Sequence, residues 1–131
     1  MLSNDPIIAK WVMDKVGNWN PNMTAIGEVK DDRIIAGIAF ETQNTKRLWG
    51  HSRVESSPSK QFWVMTADFI FNQAGCNAFS AIVDPTNIKA VRLNKHIGFV
   101  VECVLKDAGD NGDLFIMTLF KENCRFLSWK K

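Results

Sequence analysis

At 131 residues the chain suits one domain, long enough to bury a core of ordinary size. It is 46% hydrophobic and 23% charged, close to the globular average, which excludes a disordered polymer. A net charge of +2 is too weak to argue for nucleic-acid binding, and no apolar stretch nears the roughly 20 residues that span a bilayer.

In chain order, Asn4 or Asp5 followed by Pro6 reads as a helix start, because Pro is tolerated in the first helical turn. Ile7, Ile8, Trp11, Val12 and Lys15 follow at helical spacing, and Gly17 stops the helix. "GNWNPN" (17–22) is a loop that holds Trp19 outside a core. "TAIGEVKDDRIIAGIAFET" (24–42) reads as a hairpin turning at Asp31-Asp32-Arg33. Its second arm, Ile34 to Phe40, is almost continuously apolar, so that strand should be covered on both faces. "RLWGHSRVE" (47–55) is a third strand whose alternation puts Trp49, His51, Arg53 and Glu55 on one face.

"SSPSKQFWVMTADFIFNQAG" (56–75) is the clearest helix, with Ser57 as cap, Pro58 in the first position and Gly75 as the stop. Phe62, Met65, Phe69, Ile70 and Gln73 recur at helical spacing. "NAFSAIVD" (77–84) is a strand, and "NIKAVRLNKHIGF" (87–99) is a helix capped by Thr86 or Asn87. "VVECVLK" (100–106) and "DLFIMTLFK" (113–121) are strands joined by the turn Gly109-Asp110-Asn111-Gly112. The tail "ENCRFLSWKK" carries no clear pattern. The order of elements implies an α/β, mixed α+β chain: a single domain over 1–131, with a mixed, mostly antiparallel sheet of about six strands and helices on both faces.

Three cysteines, Cys76, Cys103 and Cys124, form no zinc-like spacing. Cys103 and Cys124 lie in or beside apolar runs, which predicts buried free thiols. The stretch "MLSNDPIIAKWVMDK" carries charges and has no signal-peptide core. A soluble, reducing, cytoplasmic setting is the expectation, with no metal and no membrane or nucleic-acid partner.

The ordered set Asn87, Ala90, Leu93, Ile97, Gly98 and Phe99 resembles the fourth-helix signature of the GNAT (Gcn5-related) N-acetyltransferase superfamily. The likeness is nearest to the branch of the ribosomal-protein-alanine acetyltransferases. It spans roughly residues 24 to 127 and is densest from 77 to 121. The resemblance implies a GNAT-like fold, acetyl-coenzyme A as co-substrate, and direct attack of a primary amine on its thioester. The acceptor would be a small amine or a protein N-terminus, and the chain a monomer or homodimer.

Two positions depart from the family pattern. The family's glycine-rich pyrophosphate loop is here "ESSPSKQF" (55–62), without glycine, a degenerate loop. A helix N-terminus remains there, and its amides and dipole favour phosphate. Ser57, Ser59, Lys60 and Gln61 are at hand to hold it, beside the plainer reading of a helix cap and solvated side chains. The Tyr that many family members use to protonate the leaving thiolate is replaced by Asn94. An amide cannot donate that proton, but a thiol with a pKa of about 8.5 leaves tolerably as thiolate.

For the proton lost by the amine, Glu55 and His51 are the candidate bases, directly or through water. The plainer readings are a strand-end carboxylate paired with Arg53 and a hydrogen-bonded sheet histidine. Asn87 would contact the pantetheine arm, the backbone near Val54 would polarise the thioester carbonyl, and Asn94 would solvate the leaving sulfur. Lys89, Arg92 and Lys95 form a solvated face from which one could meet the 3′-phosphate, and His96 suits the helix dipole. Trp11, Trp19 and Trp49 would shape the acceptor side. The competing reading is a GNAT-fold binding or assembly protein without catalysis.

Overall fold

The computed structural model describes residues 1–127. The elements are β1 (Leu2–Ser3), α1 (Pro6–Val16), β2 (Thr24–Lys30), β3 (Arg33–Asn44), β4 (Arg47–Val54), α2 (Lys60–Asp68), β5 (Ala78–Val83), α3 (Ile88–Ile97), β6 (Val100–Gly109) and β7 (Gly112–Phe120). They build one seven-stranded sheet in the order β1-β2-β3-β4-β5-β7-β6. Every pairing is antiparallel except β4 with β5. The seventh strand, β1, is two residues long and pairs Leu2 with Glu28 and Ser3 with Gly27. Two residues are too few to show alternation, so the sequence gives no sign of it.

The cover expected on both faces of the second hairpin arm, now β3, holds: Ile35, Ala36, Ile38, Ala39 and Phe40 are all buried. On one face α1 lays Ile8, Ala9, Val12 and Met13 against Ala25 and Ala39. The approach is close, since a Cβ at Gly27 or Gly37 would come within 3.0 Å of Ile8 side-chain atoms. On the other face Phe62, Ile70 and Phe71 pack with Ile38, Phe40, Phe79, Ile97 and Phe99. Cys124 and Phe126 of the tail close this second layer, and Trp63 stacks on Phe126 with ring centroids 6.0 Å apart. Residues 128–131 of the tail lie outside the described residues. Among the described residues, no helix is long and apolar enough to cross a membrane.

Local chemistry sets the boundaries. Asp5 caps α1 by accepting from the Ile7 amide, with Pro6 next in line. The β2–β3 turn is Asp31-Asp32, both at positive φ, which matches the twist of a two-residue hairpin. Asn87 caps α3, its Oδ1 accepting from the Ala90 amide at 3.2 Å. Gly98 ends α3 at φ +124°, where a Cβ would meet the Asn123 carbonyl oxygen at 2.6 Å. Only glycine fits both the backbone angle and the space.

Three expectations need correction. The cap of α2 is Ser59, whose Oγ accepts from the Phe62 amide, so the helix starts at Lys60 rather than Pro58. Its buried residues are Phe62, Thr66 and Ala67, while Met65 is exposed. One π-helical turn, Phe69–Gln73, follows and rotates Ile70 and Phe71 into the core, which a strict 3.6 period does not anticipate. Cys103 is exposed, not buried. It lies on β6, an edge strand, and apolar alternation there does not mean cover.

Candidate functional site

The strands β4 and β5 pair at three positions only: Arg47 with Ala78, Leu48 with Phe79 and Trp49 with Ser80. Beyond that point both strands continue, to Val54 and Val83, without pairing. The sheet therefore holds a wedge-shaped gap at its centre. The Glu55 amide donates to the Ile35 carbonyl at 2.8 Å. Antiparallel alternation then turns the backbone groups of Ser52 and Val54 away from β3 and toward the gap.

A groove of about 650 Å³ opens at the gap. Ser52, Arg53, Val54 and Glu55 form one wall, and Asn87, Ala90, Leu93 and Asn94 of α3 form the other. Ala90 leaves room where a larger residue would fill the groove. Asn94 is buried and anchored through Nδ2 to the Met117 sulfur at 3.8 Å. Lys15, Arg53 and Lys89 outnumber the single carboxylate Glu55 on this lining, so the groove favours an anionic ligand.

Of the residues singled out from the sequence, Val54, Ser57, Asn87 and Asn94 line the groove together with Glu55. Ser59 does not: its side chain caps α2, and its amide donates to Glu28 Oε1 at 2.7 Å. Lys60 and Gln61 also lie outside the lining. Glu55 is held by Arg53, whose Nη2 donates to its Oε1 at 2.9 Å. That hydrogen bond, then the guanidinium charge, hold the Glu55 carboxyl below the ordinary range, with smaller help from Lys15 and Lys89. Arg53 is itself fixed by the Trp11 carbonyl at 2.8 Å and stacks 4.0 Å over the Trp11 ring. Trp11 and Glu55, with Asp32 and Ile34, line a second recess of about 660 Å³ that shares Glu55 and Ser56 with the groove.

His51 lies on the part of β4 that borders the gap and stands opposite Ala39, which packs on α1. The histidine thus faces the α1 side of the sheet. Its Nε2 is 2.8 Å from Glu41 Oε2. Glu41 is the extra residue of a bulge in β3, where the register shifts between Phe40 and Thr42. Sequence reading missed Glu41, because a bulge re-aims a side chain that alternation would send elsewhere. It also missed a polar network beside the closed end of the gap. Arg47 Nη1 donates to Glu102 Oε1 at 2.6 Å and to Ser80 Oγ at 2.9 Å, and Thr118 donates to the same Glu102 oxygen at 2.6 Å. Trp19 is exposed as expected, with the Lys10 ammonium 4.5 Å above its ring. Among the described residues no three His, Cys, Asp or Glu side chains gather as a metal site would need.

Solved structures share this arrangement of sheet and helices. A chimera of the Vibrio cholerae spermidine N-acetyltransferase SpeG and hSSAT superposes with a TM-score of 0.72 at 14% identity, covering 97% of this chain and 98% of that one. SpeG from Vibrio cholerae, in complex with manganese ions, gives 0.71 at 13% identity over 100% of this chain and 96% of that one. This chain has the GNAT fold. The expected fold class therefore holds, with seven strands rather than about six. No family model matches the chain, and no curated protein matches it.

Proposed function

We propose that the chain transfers an acetyl group from acetyl-coenzyme A to a primary amine by direct attack. The observation that carries this reading is the gap beyond Trp49 and Ser80, where the backbone of Ser52 and Val54 faces open space. A pantetheine arm is slender and carries amides, so it can pair with such a margin as an added strand would. Ala90 and Leu93 supply the apolar wall, and Asn87 and Asn94 the polar contacts. The Val54 amide is positioned to polarise the thioester carbonyl.

The amine nitrogen forms a bond to the carbonyl carbon, the carbon–sulfur bond breaks, and the sulfur leaves as thiolate. The nitrogen then carries a surplus proton, and His51 accepts it, directly or through water. With Glu41 accepting the Nε2 proton, Nδ1 is the ring's free acceptor. Glu55, whose carboxyl Arg53 holds below the ordinary carboxylate range, is a poor acceptor for that proton. Acceptors that this site admits are small amines or a protein N-terminus, which the SpeG neighbours parallel only in that they are named for an amine. A reducing cytoplasmic setting fits the free thiols Cys76 and Cys124, both buried.

The replacement of the usual Tyr by Asn94 favours a second reading, a binding protein with the same groove and no turnover. Thermal unfolding with acetyl-coenzyme A separates the groove from the chemistry. At about 100 times its Kd the ligand adds about 2.7 kcal/mol, a rise of several degrees for a domain of this size. A rise together with thiol release from a panel of amines supports transfer. A rise without thiol release supports the binding protein, and no rise at millimolar ligand removes both.

A further inference from the structure

We infer that Glu28 is a specificity-determining residue of the donor site: it takes up the positive end of α2, so the donor is held by its pantetheine arm more than by its diphosphate. The inference rests on the acetyl-transfer reading. It starts from a contact that the sequence conceals, the 2.7 Å hydrogen bond from the Ser59 amide to Glu28 Oε1.

Glu28 sits on β2, on the same face as buried Ile26 and so beneath α2. The register slips between Glu28 and Val29, and β1 pairs Leu2 with Glu28 on the other side. The backbone around the carboxylate is thus held from both neighbours. The segment 55–59 leaves β4 and crosses toward β2, guided by the Glu55 and Ser56 amides donating to the Ile35 carbonyl. It delivers the start of α2 onto Glu28.

Two donors at this helix start are now satisfied from within the protein. The Ser59 amide goes to Glu28 and the Phe62 amide to Ser59 Oγ. A helix start carries roughly half a positive charge, and a full carboxylate charge beside it more than offsets that. A phosphate arriving here would meet a fixed like charge instead of an open cradle. The absence of glycine from "ESSPSKQF" points the same way, since backbone cannot fold closely around an anion there. Among the residues that line the groove, Lys15, Arg53 and Lys89 carry the positive charge that attracts the donor's phosphates.

The test measures binding by calorimetry, with coenzyme A and phosphate-free pantetheine as probes. The proteins are the wild type, Glu28→Gln and Glu28→Asp. Glutamine keeps the shape and can still accept from Ser59, but it lacks the charge. Coenzyme A should bind Glu28→Gln about three- to tenfold tighter than wild type, and pantetheine should bind both alike. Glu28→Asp, which retains the charge, should not gain. High salt should narrow the gain of Glu28→Gln, as screening demands. If coenzyme A binds wild type and Glu28→Gln equally, Glu28 is only a structural cap and the inference falls alone. If coenzyme A binds none of the three, while melting curves show all of them folded, the acetyl-transfer reading falls and takes the inference with it.

Discussion

His51 Nε2 stands 2.8 Å from Glu41 Oε2, joined across two strands by a bulge that brings the carboxylate out of the regular alternation of β3. The pair is partly exposed, with side-chain accessibilities of 24% and 45%, so water can reach it. His51→Ala should lower kcat/KM for the best acceptor amine by about 10²-fold or more, while the melting rise with acetyl-coenzyme A persists. Glu41→Gln, whose side-chain carbonyl oxygen can still accept from the ring, should retain more activity than Glu41→Ala, which leaves the ring unheld. Steady-state kinetics of the three variants measure both effects. Full activity in His51→Ala would show that the base lies elsewhere.

Groove occupancy has a steric test. Ala90 lines the groove and is only partly buried. Ala90→Trp should abolish the melting rise with acetyl-coenzyme A and leave the melting temperature of the free protein within a few degrees. A preserved rise would mean the ligand binds outside the gap.

Acid stability should depend on Glu102. Hydrogen bonds from Arg47 first, then from Thr118, hold its carboxyl below the ordinary carboxylate range. The unfolded chain, with a Glu pKa of about 4.3, binds the proton at a higher pH than the folded protein does. The stabilisation is therefore present above that unfolded value and is lost as pH falls through the lower, folded one. Melting temperatures of wild type and Glu102→Gln should differ most near neutral pH and converge on acidification. A constant difference down to pH 3 would contradict the linkage.

Two glycines should rank by space as well as angle. Gly75 has φ +68° and nothing within 4 Å of an added Cβ, whereas Gly98 has φ +124° and the Asn123 carbonyl oxygen 2.6 Å away. Gly75→Ala should cost about 1 kcal/mol, and Gly98→Ala about 2 kcal/mol or more, because backbone must move too. Denaturant midpoints of the two variants test the order.

Much of the fold was legible because burial writes a period into the chain. The apolar run Ile34 to Phe40 announced a strand covered on both faces, and Asn87 with Gly98 marked the two ends of α3. The groove residues Val54, Asn87 and Asn94 came from resemblance, and the structure places them on one lining. What escaped was decided by contacts distant in sequence. Glu28 and Ser59 are 31 residues apart, and Arg47 and Glu102 are 55 apart. Local pattern carries no trace of such pairs. The bulge that couples Glu41 to His51 is silent for a different reason: it breaks the very alternation from which faces are inferred.

An open sheet ordinarily presents two unpaired rims, and here these are β1 and β6. The parting of β4 from β5 after Trp49 and Ser80 adds a third, enclosed by the protein itself. Rims recruit extended chains, and a long bare one invites aggregation. This inner rim is only a few residues deep and α3 walls one side of it, which suits a thin linear molecule entering end-on better than a foreign strand. The same hunger for hydrogen bonds that endangers an outer strand becomes, at this width, a filter for shape.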